Sequence, residues 1–110
     1  MIVYNVTVKI DLEIAANWLA WMREEHIPEV LATGLFLNYR LLRIVNDEED
    51  DGLTYAVQYT CRDKRTFETY LKDYAQALQA KHRERYNNRY IAIRTLMEVV
   101  EEQNLFASQS

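Results

Sequence analysis

Apolar and polar positions alternate strictly from Ile2 to Ile10. Ile2, Tyr4, Val6, Val8 and Ile10 fall on one side and Val3, Asn5, Thr7 and Lys9 on the other, as in a strand lying between two unlike environments. The period then lengthens. Ile14, Ala15, Trp18, Leu19 and Met22 recur at steps of three and four, which predicts an amphipathic helix with Asp11 as N-cap and Glu13 in its first turn. Pro28 lacks an amide to donate to residue 24 and disfavours helical geometry at Ile27, so the helix bends or restarts there, and Gly34 stops it. Trp18 and Trp21 are separated by about 300° around the axis, which places one of them at the edge of the buried stripe.

Alternation returns from Leu35 to Val45. Asn46 to Gly52 is an acidic turn, and Leu53 to Cys61 is the strand paired with the one before it. From Asp63 to about Arg89 the pattern is helical again, with Phe67, Tyr70, Leu71, Tyr74 and Leu78 as the buried stripe and Glu68 and Lys72 as a pair on the wet face. Tyr90 to Val100 closes the chain as a fourth strand, with Ile91, Ile93, Met97 and Val99 opposite Ala92, Arg94 and Leu96. Residues 102–110 show no period and are read as a frayed tail, with Leu105 and Phe106 able to dock.

The order βαββαβ over residues 1–101 predicts one ferredoxin-like α+β domain, a four-stranded antiparallel sheet ordered 4-1-3-2 with both helices on one face. Assigning the most apolar side of each strand to the helices leaves Val3, Asn5, Thr7, Phe36, Asn38, Arg40, Leu42, Ala56, Gln58, Ala92, Arg94 and Leu96 on the other face. That set holds too much apolar surface to stay wet, so a homodimer is expected, closing a barrel over a partly polar space. In that space Arg40 and Arg94 would flank Asn5 and Gln58. A guanidinium cannot shed its proton when desolvated, so the four residues are candidate ligands for a small anion, a carboxylate of the protein being the plainer partner.

Composition narrows the picture. Of 110 residues 49% are hydrophobic, with one proline and two glycines, enough to pack a core. Thirteen basic against 17 acidic side chains leave a formal charge of -4, which argues against nucleic acid as a partner. The lone Cys61 excludes an internal disulfide, and neither a leader nor a membrane span is evident, so the expectation is a soluble, reduced, cytoplasmic protein.

Chemical motifs are sparse. His26 and His82 each follow an apolar stripe by four residues and are the candidate proton-transfer groups, although antiparallel helices should hold them at opposite ends of the protomer, where the helix dipole gives each a structural role. Asp47, Glu49, Asp51 and Gly52 imitate the start of a calcium loop, but the twelfth position is Gln58, so no metal or other cofactor is expected. Arg62 and Lys64 would lower the pKa of Cys61, yet no histidine is spaced to activate it, and a buried thiol is the default. The βαββαβ order also belongs to RNA-recognition modules, but Asp51 precedes Gly52 where a basic residue is required, and Tyr55 and Tyr59 alternate onto the apolar side.

With HIPEVLATGLF, TYAVQY, HRERY and RTLMEVV in view, the sequence resembles a small bacterial family catalogued only as a domain of unknown function, over nearly all of residues 1–101. The resemblance implies a dimeric α+β barrel, a superfamily that includes antibiotic-biosynthesis-type monooxygenases, haem-degrading enzymes, muconolactone isomerases and small ligand-binding regulators. It supplies no catalytic residues. Two readings follow: a protein binding a small, anionic molecule between the sheets, and a cofactor-independent monooxygenase or isomerase using His26, His82 or a tyrosine.

Overall fold

A computed structural model describes residues 1–45 and 51–104. Their strands are β1 (Ile2–Asp11), β2 (Phe36–Arg43), β3 (Gly52–Cys61) and β4 (Tyr90–Glu98), joined in one antiparallel sheet of order β2-β3-β1-β4. Two long helices complete the βαββαβ order: α1 over residues 15–31, entered through a 3-10 turn at Leu12–Ile14, and α2 over residues 64–85. Both bury their stripes on one face of the sheet, where Tyr4, Val8, Ile10, Val57 and Tyr59 meet Trp18, Ile27, Val30, Phe67 and Tyr70 in a single core.

The helix termini follow local chemistry, with one exception. Asp63 caps α2, its Oδ1 accepting from the Thr66 amide at 2.8 Å and from the Thr66 hydroxyl at 2.7 Å. Gly34 ends the turn after α1 at φ 77°, a conformation natural to glycine. Asp11, the expected cap of α1, makes no capping bond; its carboxylate instead binds Arg89 Nε at 2.6 Å, tying the end of β1 to the start of β4.

Each long helix contains one wide π turn. At Met22–His26 the Ile27 amide reaches back five residues to the Met22 carbonyl, and regular α-helix resumes at Ile27 with Pro28 in its first positions. The wider turn accommodates a proline ring that would otherwise crowd the Glu24 carbonyl. In α2 the π turn spans Leu71–Ala75 and rotates the stripe: Ala75, Leu78 and His82 are buried, whereas Leu71 and Tyr74, expected in the core, are exposed. Trp18 is fully buried, and Trp21 lies near the rim under the Arg85 guanidinium, 5.5 Å from its ring.

Strand register corrects the expected open face. A bulge between Phe36 and Asn38 turns Phe36 into the core, where its ring lies 4.9 Å from that of Tyr70. On β4 the assignment inverts throughout. Ile10 pairs with Tyr90, Val8 with Ala92, Val6 with Arg94 and Tyr4 with Leu96, so these four β4 residues share the helix side. Ile91, Ile93 and Met97 therefore lie on the open face with Val3, Leu42 and Ala56, and Ile91 and Ile93 are 67% and 62% exposed. Hydrophobicity misassigned the strand because β4 is apolar on both sides, while its register is fixed by the ladder to β1.

Candidate functional site

The inversion of β4 brings together side chains expected apart. Arg94 leaves the open face and stands beside a cavity of about 40 Å³ between the sheet and the helices. His26 and Met22 line it from α1, and Tyr70, Gln79 and His82 line it from α2. Its floor is Tyr4, Val6 and Val8 of β1 with Ala92 of β4. A buried water needs roughly 10–15 Å³ of such space, so the cavity takes two or three waters or the polar end of a small molecule. Arg94 is exposed and β4 is a sheet edge, so the cavity borders that open edge of the sheet.

His26 and His82 do not lie at opposite ends: their rings are 5.8 Å apart. The expectation treated His26 as the end of a helix, whereas α1 continues to Leu31 and the last turns of α2 run alongside its middle, as the Trp18–His82 and Lys81–Glu29 contacts show. Trp21 stacks on His26 at 4.8 Å and meets His82 at 5.8 Å, and Tyr90 meets the His82 ring edge-on at 4.4 Å. These rings and the core around them leave His26 only 9% and His82 only 7% exposed.

Electrostatics follow from that enclosure. Burial lowers the pKa of His26 to about 4, against a smaller raising effect of Glu29. Burial likewise lowers His82 to about 4, helped by His26 and Arg94. Both rings are thus neutral at pH 7 and available as hydrogen-bond donors or acceptors. Trp18 Nε1 donates to His82 Nε2 at 2.8 Å, which fixes one nitrogen of that ring as an acceptor. His26 Nδ1 is buried with no hydrogen-bond partner among the described residues, a state that costs about 1–3 kcal/mol. Burial also raises Tyr70, with Tyr4 adding to the effect and Arg94 opposing it, and raises Tyr59 further. Neither phenol ionises at neutral pH.

The other three residues expected with Arg94 remain on the open face in one cross-strand row, Asn5 opposite Gln58 and Gln58 opposite Arg40. Arg40 donates to Gln58 Oε1 at 2.9 Å, and Asn5 donates to Thr7 at 2.9 Å, leaving Asn5 Oδ1 buried without a partner among the described residues. Without Arg94 this row offers one guanidinium where two were expected. Cys61 is buried, and burial raises its pKa, followed by Asp63; the lowering expected from Arg62 and Lys64 does not prevail. Asp47 and Glu49 lie outside the described residues, while Asp51 pairs with Lys9 at 3.2 Å and Gln58 sits in the β3 ladder. Among the described residues no group of three or more His, Cys, Asp or Glu is placed to hold a metal ion, and no helix is long and apolar enough to cross a membrane.

Tyr70, Gln79 and the Trp18 anchor of His82 escaped the sequence as site residues. Tyr70 read only as core, and Trp18 and His82 are 64 positions apart, beyond any local pattern.

Solved structures share the fold at low identity. The haem-degrader MhuD of Mycobacterium tuberculosis, solved with two haems in its active site, superposes with a TM-score of 0.70 at 20% identity, covering 94% of this chain and 100% of that one. SnoaB, a cofactor-independent oxygenase of Streptomyces nogalater, gives 0.61 at 14% identity over 92% and 95%. A dimeric ferredoxin-like protein from an uncultured marine organism gives 0.63 at 12% identity over 94% and 99%. No curated protein matches the sequence. Residues 1–100 match the family described as Domain of unknown function (DUF4286), and the chain belongs to that family.

Proposed function

We propose that this protein is a homodimer that binds a small organic acid in the cleft between its helices and its sheet. One observation carries the reading: Arg94, two neutral histidines and Tyr70 converge on a single cavity open toward a sheet edge. A guanidinium beside a desolvated pocket recruits an anion, and aromatic walls suit a planar ligand body. The open-face row of Asn5, Gln58 and Arg40 is the weaker candidate, since Arg40 already spends a donor on Gln58 and the acids Glu98, Glu101 and Glu102 share its hollow, where they would repel an anion.

The dimer rests on the open face. Ile91, Ile93, Met97, Leu42 and Val3 form an apolar surface beside threonines and amides, and a second copy is the partner its self-complementary, weakly charged character fits. The likeness to dimeric ferredoxin-like proteins supports this.

The test is a thermal-shift titration with benzoate, 4-hydroxybenzoate and pyruvate at pH 7, with sedimentation velocity at low micromolar concentration. Concentration-dependent stabilisation by at least one acid and a dimeric sedimentation coefficient are expected. Absence of stabilisation by every acid overturns the ligand reading, and a stable monomer overturns the dimer. A second reading, cofactor-independent oxygenase or isomerase chemistry, is favoured by the unpartnered His26 Nδ1 beside a neutral His82. Conversion of a stabilising acid, followed by mass spectrometry under air, separates it from simple binding.

A further inference from the structure

The Trp18–His82 bond divides the roles of the two ring nitrogens. An indole N–H only donates, so His82 Nε2 must carry a lone pair, and a neutral imidazole then holds its proton on Nδ1. Trp18 is fully buried, between its own helix and Tyr55, whose ring lies 5.2 Å away. The donor therefore cannot swing aside, and the tautomer is set by a rigid wall. His82 lines the cavity and its Nδ1 has no protein partner among the described residues. An N–H at a cavity wall that no protein acceptor takes up is available to a ligand oxygen.

We infer that His82 is a fixed N–H donor to the carboxylate of the bound acid, taking one oxygen through Nδ1 while Arg94 takes the other, and that Trp18 is the positioning residue that makes it so. This deepens the reading of the cleft as an acid-binding site and rests on it. The arrangement explains why a histidine is useful here in its neutral form: it supplies direction without a second buried charge, and Arg94 at the rim supplies the charge from where it remains partly hydrated. It also separates the histidines. His82 has no free lone pair for a proton, whereas His26 keeps an unpartnered ring nitrogen.

Two substitutions divide the functions of the ring. In His82→Gln the side-chain amide places its oxygen near the position of Nε2, so the Trp18 acceptor survives and the Nδ1 donor is lost. In His82→Asn the amide nitrogen stands near Nδ1, so the donor survives and Trp18 loses its acceptor. With benzoate as probe, His82→Gln is expected to fold with a melting temperature near that of the parent and to bind about 10- to 100-fold more weakly, as for one hydrogen bond to a charged group. His82→Asn is expected to melt lower yet retain most of the affinity. Imidazole nitrogen NMR on the unsubstituted protein must show His82 protonated at Nδ1, with that resonance shifting on benzoate addition. If His82 is protonated at Nε2, or His82→Gln binds benzoate as the parent does, the assignment is wrong whatever else binds. If the tautomer is as assigned but neither benzoate nor any other acid stabilises the protein, the cleft is not an acid site and both readings fall. Should His82→Asn not fold, the tautomer and His82→Gln decide.

Discussion

The two faces of one sheet solve different problems. On the covered face Trp18, Tyr4, Tyr59 and Tyr70 surround a small cavity and press two histidines out of their ordinary pKa range. The open face carries aliphatic side chains, threonines and amides, with Arg40 satisfied by Gln58. Apolarity does not distinguish the two, since Ile91 and Ile93 are on the open side and Arg94 on the covered one. Buried titratable groups do. Desolvated ionisable side chains gather where a helix layer has removed water, and exposed aliphatic ones remain where it has not.

The largest expected effect comes from the covered face. Trp18→Ala removes a fully buried ring and the donor to His82, and the loss should be about 3–5 kcal/mol. That corresponds to a fall in melting temperature of more than roughly 12 °C. Calorimetry showing a fall of only one or two degrees would mean the helix layer contributes little to the protomer.

Ile93→Lys strikes the other face. Ile93 is exposed in the protomer, so its replacement should leave far-ultraviolet circular dichroism unchanged while converting the protein to monomer at low micromolar concentration, because a lysine at a dry interface loses hydration without gaining a partner. Sedimentation velocity decides; an unchanged dimer moves the interface elsewhere.

The covered face should also titrate. His26 and His82 have folded pKa values of about 4 against an ordinary 6.5, so between these limits the unfolded chain binds more protons than the folded one. Their contribution to stability is therefore complete above about pH 6.5 and disappears as pH falls toward 4. A drop in melting temperature from pH 7 to pH 5 is expected, shrinking by more than half in the His26→Gln, His82→Gln double variant. A drop of equal size in that variant would assign the acid sensitivity to carboxylates.

How much of this was legible depended on whether local pattern or partner choice decided it. The alternation of β1 and β3 and the Gly34 stop are local, and element order with the sheet order followed from them. The π turn in α2 has no marker comparable to Pro28, so the helical period puts Leu71 and Tyr74 in the core although the turn interrupts it. The face of β4 depended on its ladder to β1, which hydrophobicity could not read in a strand apolar on both sides. The candidate site inherited that error. His26 and His82 stand out in the sequence, but their meeting depends on the full length of α1 and the lateral placement of α2, which no spacing encodes.

The smallest effect discriminates most finely, because each face carries one arginine of the original pair. Arg94 borders the cavity and its charge acts on both His82 and Tyr70, while Arg40 faces away, bound to Gln58. Both are exposed in the protomer, so Arg94→Leu and Arg40→Leu should each change stability by no more than about 1 kcal/mol. Their effect on ligand response should differ. The shift in melting temperature produced by a stabilising acid should vanish in Arg94→Leu and persist in Arg40→Leu, since an anion in the helix-side cleft is screened from the open face by the sheet itself. If the pattern is reversed, with Arg40→Leu abolishing the shift and Arg94→Leu preserving it, the acid binds between the two sheets of the dimer and the helix-side cavity is a packing defect filled by water.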